Sequence, residues 1–320
     1  MAAMPPGCVI GMDLGGTKLL GGVVDGDLVV RHRAFRPTPE SGVLDTIAEV
    51  VEELGGAVEG GIAAVGLGIP SLMDVARGGA LWTNHLDLEG VPVRDLMSER
   101  LGVPVAVDND ANVALVAEHR AGVAAGSRHA LMLTLGTGIG GAAIVDGALL
   151  HGSRGAAGEL GHIVVQADGP PCPGNCPNRG CLEALCSGTA LAREGERLGH
   201  EEPGSALGRL VAAGRPVTGA LVTELAHDGD EAARRAVAVV GRWLGVGLSG
   251  LVNVFDPEVV VIGGGVGRAG DLLLDPAREE LAARALPPMA SHVRVLPSRF
   301  GEESGMLGAA ILAWEAAARV

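Results

Sequence analysis

The 320-residue sequence has no tyrosine at all, and only three tryptophans and three phenylalanines. Without bulky rings, small aliphatic side chains must fill the interior. Glycine is correspondingly frequent, at 52 residues, so many turns can take positive φ. Basic residues are also scarce, with 24 Lys and Arg against 38 Asp and Glu and a net charge of −14. That deficit argues against a surface for nucleic acid or anionic membrane, either of which wants a basic patch. It does not exclude a nucleotide, because backbone N–H groups hold phosphates without net positive charge. No uninterrupted apolar run is long enough for a clear membrane span. The most apolar stretch, 237–255, is broken by Arg242 and several glycines and reads as a buried helix. No signal peptide is visible, and a cytoplasmic protein is expected. Neither C-x-x-C nor G-x-x-x-x-G-K-[ST] occurs, which removes thioredoxin-type redox chemistry and the P-loop.

Apolar residues make up 48% of the chain and charged residues 19%, enough for a sizeable core. Residues 8–35 read as three short strands separated by glycine turns, a meander rather than a βαβ unit. A helix is expected over 42–54, from the spacing of Val43, Ile47, Val50, Val51 and Leu54. A strand (62–70), a polar loop around Trp82, a buried strand (103–110) and a helix (111–122) follow. ALMLTL, GTGIGG and AAIVDGALL then repeat the strand–turn–strand pattern. Leu14–Gly26 aligns with Leu135–Gly147 without a gap, which suggests a duplicated unit, one copy per domain. Beyond 150 come a loop-rich cysteine segment, helices over about 187–198, 206–213 and 230–254, a strand ending in Gly263-Gly264-Gly265, and a C-terminal helix over about 302–319.

Three glycine turns stand at strand ends. In Asp13-Leu14-Gly15-Gly16-Thr17-Lys18, adjacent glycines let a phosphate approach the backbone, Thr17 adds a hydroxyl, and Asp13 could hold Mg²⁺ directly or through water. A tight hairpin needs the same glycines without any ligand. Gly136 to Gly141 and Gly265 to Gly270 both fit G-x-G-x-x-G, the dinucleotide fingerprint. That fingerprint must open a helix, and a strand follows Gly141, so the first match is a hairpin and weighs against a dehydrogenase. The second is followed by a plausible helix and stays open.

Asp108-Asn109-Asp110-Ala111-Asn112 joins a strand to a helix. One of these residues should be the N-cap. Asp110 is a candidate base for an attacking hydroxyl, with Asn109 orienting the substrate. Glu159, His162 and Glu183 add groups suited to a neutral polyol; a phosphorylated substrate would call instead for an arginine cluster. His162, Cys172, Cys176 and Cys181 suit a closed tetrahedral zinc site, with reduced, metal-free cysteines as the alternative. A filled site would be structural and would fix His162 and Glu183. Cys8 and Cys186 read as small buried apolar residues.

DLGGTK, DNDAN, LGTGIGG, GELGH, CPNRGCLEA and VVVIGGGVG stand in an order and spacing that resembles the ROK family (repressors, uncharacterised reading frames and sugar kinases), and within it the bacterial glucokinases. The resemblance covers nearly the whole chain. It implies an actin-like (ribonuclease H-like) α/β fold with two α/β domains around a central cleft. Those domains are expected at 1–112 plus 302–320, and at 113–301 with the zinc loop. By resemblance, Asp13, Gly15, Gly16, Thr17, Lys18, Gly136, Thr137 and Gly138 meet the ATP phosphates, and Gly264, Gly265 and Gly267 its adenosine end. Asp110 is the implied catalytic base. Asn84, Asn109, Asp110, Glu159, His162 and Glu183 are the implied sugar contacts, and His162, Cys172, Cys176 and Cys181 the zinc ligands. Two departures stand out: Cys172-Pro-Gly-Asn-Cys176 is longer than the C-P-C-G common in the family, and Ser71 replaces a common glycine. Only twelve residues precede Asp13, which leaves no room for the helix-turn-helix of the family's repressors.

The implied activity is phosphorylation of a hexose, glucose first, at its primary hydroxyl by MgATP. A homo-oligomer, dimer or tetramer, is expected, with no nucleic-acid or membrane partner. The competing expectations are a kinase for fructose, mannose or N-acetylglucosamine, a non-catalytic sugar sensor, an NAD-dependent dehydrogenase, and polyphosphate in place of ATP.

Overall fold

The computed structural model describes residues 7–83 and 86–319. Asn84, an expected sugar contact, lies outside them. The chain forms two compact units, one of Met1–Ala125, Leu149–Gly158 and Glu303–Val320, the other of Gly126–Ala148 and Glu159–Glu302.

In the first unit, β1 (Cys8–Leu14), β2 (Lys18–Asp25) and β3 (Val30–Pro37) form the expected meander. Then come α1 (Val43–Gly56), β4 (Ile62–Ile69), a hairpin of β5 (Ser71–Asp74) and β6 (Gly79–Thr83), α2 (Val93–Leu101), β7 (Val105–Asn109) and α3 (Asp110–Ala121). The main sheet runs β3-β2-β1-β4-β7, antiparallel across β3-β2-β1 and parallel across β1-β4-β7. The central strands are near-continuous apolar runs because both faces are covered. On α1, Val43, Ile47, Val50, Val51 and Leu54 are buried as their spacing requires. The hairpin β5–β6 occupies what the sequence suggests is a loop; its strands are short and contain no clean alternation.

The second unit repeats the plan. Its strands and helices are β8 (Ala130–Leu135), β9 (Ile139–Val145), β10 (Ala148–Leu149, whose second residue is where the chain passes to the first unit), α4 (Leu182–Cys186), α5 (Gly188–Glu201), α6 (Ala206–Ala212), α7 (Gly219–His227), α8 (Glu231–Phe255), β11 (Val259–Gly263), α9 (Gly264–Gly267), α10 (Asp271–Arg284), α11 (Pro287–Ala290) and β12 (Arg294–Pro297). Its sheet order, β10-β9-β8-β11-β12, has the same sense as the first: β8–β9 antiparallel, β8–β11 and β11–β12 parallel. The duplication legible in the sequence is thus a duplicated sheet topology. The two turns differ in length, however. Leu14 pairs with Leu19 and Leu135 with Ile139, so the second turn is one residue shorter than the ungapped alignment implies. Helix α8 is long and apolar enough to cross a membrane, but Ala236, Val237, Leu244, Leu248 and Val252 are buried, and Gly241 and Gly245 bring it against α10. Ser187, Ser205, Thr218 and Asp230 cap α5 to α8 by accepting N–H bonds.

The last helix, α12 (Ser304–Ala317), returns to the first unit against β1, β4 and α3. Glycine makes that approach possible. A Cβ on Gly66 would collide with the Ala309 carbonyl, and one on Gly308 with the Val113 carbonyl. The first unit also takes in the rest of α3, the chain through Ala125, and Leu149–Gly158, which lie beyond the first-domain range expected from sequence. Packing explains this: α12 lies along α3.

Candidate active site

The parallel strands β1, β4 and β7 place Asp13, Gly68 and Asp108 side by side in register. Gly68 lets α3 pack close to the sheet: a Cβ there would collide with the Val113 side chain at 2.6 Å, and it would stand 3.6 Å from the Asp110 Cα and 3.7 Å from Asp13 Oδ1. Asp110 opens α3, and burial raises its pKa above the ordinary aspartate value. Asp13 is pushed up to about 7, first by burial and then by the Asp110 charge, against the pull of Lys18. Two carboxylates close enough to influence one another thus stand by the Gly15–Gly16 turn, and Lys18 at its end is the only lysine in the chain. The turn closes through Gly15 N–H donating to Lys18 O at 2.7 Å. Thr38 Oγ1 donates to Gly15 O at 2.6 Å and braces the turn from outside, a residue not anticipated from sequence.

The N-cap of α3 is Asn109. Its Oδ1 accepts from Ala111 N–H at 2.9 Å and Asn112 N–H at 3.2 Å. Its Nδ2 donates to Ser71 O at 3.2 Å, so the serine that departs from the family pattern holds Asn109 through its backbone. Asp108 is 3% exposed. Its Oδ1 accepts from Asn109 N–H at 2.7 Å and Asn112 Nδ2 at 2.8 Å.

In the second unit, the Gly136-Thr137-Gly138 turn is held from two sides. Gly188 N–H donates to Gly136 O at 2.7 Å, and Thr189 Oγ1 to Thr137 O at 2.9 Å. Glu183 Oε2 accepts from Ile139 N–H at 2.7 Å, and a Cβ on Gly138 would run into that carboxylate. Gly264, at φ +79°, packs on the Leu135 backbone and lets β11 end beside the same turn. Gly265 and Gly267 sit in the single turn α9, inside the second G-x-G-x-x-G match, and the match is followed by a helix, α10.

A cavity of about 910 Å³ opens here. Gly136, Thr137, Gly188, Thr189 and Gly265 line one side, and Thr218, Thr223, His227, Arg268 and Glu302 are among its other walls. The expectation from sequence found the glycines but missed the walls supplied by α5 and α7. Ser187-Gly188-Thr189 is a recognisable helix start, yet nothing local says what that start faces.

His162, Cys172, Cys176 and Cys181 come together with their donor atoms all within 4.8 Å of one another. Cys172 Sγ lies 3.5 Å from His162 Nδ1, and Cys176 Sγ 4.0 Å from Cys181 Sγ. Thiolates about 2.3 Å from a tetrahedral zinc are about 3.8 Å apart, so the donor set fits that ion. His162 would bind through Nδ1, leaving Nε2 3.7 Å from Glu159 Oε2. Glu183 Oε1 is 3.8 Å from Cys172 Sγ. Cys186 is fully buried as expected, while Cys8 is only partly so. Of the sugar contacts expected from sequence, Asn109 and Asp110 therefore share the first unit, and Glu159, His162 and Glu183 the second.

The ROK family pattern matches residues 9–316. The chain belongs to the ROK family. A glucokinase from Streptomyces coelicolor is 36% identical over 318 residues, covering 97% of this chain and 98% of that protein. The glucokinase of Thermotoga maritima is 36% identical over 313 residues, covering 96% and 97%. The crystal structure of a ROK family glucokinase from Streptomyces griseus, in complex with glucose and AMPPNP, superposes with a TM-score of 0.87 at 35% identity, covering 97% of this chain and all of that one. The fold is accordingly the two-unit actin-like α/β fold of ROK glucokinases.

Proposed function

We propose that this ROK protein is an ATP-dependent hexose kinase that converts glucose to glucose 6-phosphate. The observation that carries the reading is the pairing of half-buried Asp110 with half-buried Asp13 beside a glycine turn. A structural N-cap alone would not need it, since Asn109 already caps α3. The S. griseus relative was crystallised with glucose and an ATP analogue, and full-length relatives at 36% identity are glucokinases.

In this reading Asp110, as carboxylate, accepts the proton of the primary hydroxyl. The hydroxyl oxygen forms its bond to the γ-phosphorus as the bond to the β-phosphate oxygen breaks, and ADP leaves. Such transfers need positioning and charge neutralisation more than covalent help. Asn109, Glu159, His162 and Glu183 orient the sugar hydroxyls. Gly15, Gly16 and Thr17, with Gly136, Thr137 and Gly138, offer N–H and hydroxyl donors to the phosphates, while Gly264, Gly265 and Gly267 border the nucleoside. Mg²⁺, when bound, neutralises phosphate charge, and Asp13 would hold it directly or through water. Zn²⁺ would be held by His162, Cys172, Cys176 and Cys181 in a closed, structural role. A cytoplasmic location and assembly as a dimer or tetramer belong to the same proposal; five free thiols suit a reducing compartment.

The test is a coupled phosphorylation assay of the purified protein with MgATP over a panel of hexoses. Glucose should give the highest kcat/KM. Absence of sugar-stimulated ADP formation would sink the kinase reading, and a tenfold preference for another hexose would replace glucose.

A further inference from the structure

His151 Nε2 lies 2.7 Å from Asp108 Oδ2, across 43 residues of sequence. Asp108 is the buried carboxylate directly preceding the Asn109–Asp110 turn. Among the described residues, its Oδ1 is used by Asn109 N–H and Asn112 Nδ2, and its Oδ2 by His151 alone.

We propose that His151 is a positioning residue for phosphoryl transfer, holding the Asp108 carboxylate and through it the turn that aims Asp110. The inference rests on the assignment of Asp110 as the base. Removing His151 leaves one oxygen of the buried Asp108 carboxylate without its partner, which is costly for a buried charge. Asp108 can relieve that cost by rotating toward water or taking up a proton. Rotation breaks its bonds to Asn109 N–H and Asn112 Nδ2. Protonation weakens them, because bonds to an ionised acceptor are the stronger. In either case the turn between β7 and α3 loosens and Asp110 loses its aim. A misplacement on the order of 1 Å costs about 10²-fold in rate.

The same bond places the segment that carries His151. Leu149–Gly158 belongs to the first unit, while residues on both sides of it in sequence belong to the second. Its glycines at 152, 155 and 158 have φ of +71°, +90° and +101°. Gly155 packs on the Met73 carbonyl so closely that a Cβ would not fit. The segment is therefore seated at two points, by glycine on β5 and by histidine on Asp108. Bonding to Asp108 raises the His151 pKa. The other charged groups lining the cavity beside it are Asp74, Arg77 and Arg154.

The experiment compares wild type with His151→Ala and His151→Gln by steady-state kinetics with glucose and MgATP, glucose binding by calorimetry, and thermal unfolding. His151→Ala should lower kcat about 10- to 100-fold while glucose binding changes less than about threefold. His151→Gln, which keeps an N–H donor, should recover most of kcat at unchanged affinity. A kcat within twofold of wild type in the folded Ala variant would overturn the proposal. So would a Gln variant as slow as Ala, or losses of kcat that only follow the fraction unfolded. A wild-type protein without sugar-dependent turnover would remove the kinase reading itself, and this role with it.

Discussion

Glu183 accepts the Ile139 N–H at 2.7 Å, and so fastens the glycine turn of β8–β9 to the helix that follows the cysteine cluster. One carboxylate joins the proposed zinc loop to the proposed phosphate loop. Glu183→Ala should strip the partner from a backbone N–H in a buried residue, at a cost of about 1–3 kcal/mol. Glu183→Gln keeps an acceptor and should cost less. Denaturant unfolding of the three proteins orders them; equal midpoints would show that the bond carries no weight.

Asp110→Asn removes the proposed base while keeping shape and the ability to accept a hydrogen bond. We expect kcat to fall by about 10³-fold or more, with glucose affinity largely retained. Rapid-quench turnover and calorimetry separate the two, and a kcat within tenfold of wild type would reassign the base.

Lys18 is the one lysine in a chain with 24 basic residues, and it sits in the first glycine turn. Arginine serves every other side-chain cation position, so the exception points to a need for a compact ammonium. Lys18→Arg keeps the charge but substitutes a planar fork. It should lower kcat/KM for ATP about tenfold, a change of about 1.4 kcal/mol. Indifference to the swap would mean that Lys18 is incidental.

The cysteine cluster should bind one zinc per chain, measurable by metal analysis. Stripping the metal or replacing Cys181 by serine should lower the unfolding midpoint, since a metal bound by the folded loop adds its binding free energy to folding. Zinc-free protein with an unchanged midpoint would leave the cluster as four packed donors.

Polyphosphate should not replace ATP. The cavity of the second unit includes Glu224, Asp228 and Glu302 in its lining, and its one arginine, Arg268, lies 3.3 Å from Glu302. A polyanionic donor wants a row of free cations. Glucose phosphorylation with polyphosphate at a rate within tenfold of that with ATP would contradict this.

Local chemistry was legible in the sequence. The strand–turn–strand repeat, the glycine turns, an N-cap somewhere in 108–112 and the cysteine spacing each depend on residues a few positions apart, where backbone geometry and side-chain type act directly; that the cap is Asn109 came from the structure. Even there, the one-residue difference between the two turns escaped the ungapped alignment, because glycine-rich turns accept several lengths. The hairpin β5–β6, the short helices α2 and α7 and the edge strand β12 were not legible, since short elements owe their form to what packs on them. Tertiary structure alone decided that Glu183 would meet Ile139, that His151 would meet Asp108, and that α5 and α7 would wall the cavity beside Gly136. Those pairs stand 44 and 43 residues apart. A side chain's polarity demands a partner when it is buried, but only the folded path of the chain determines which partner is within reach.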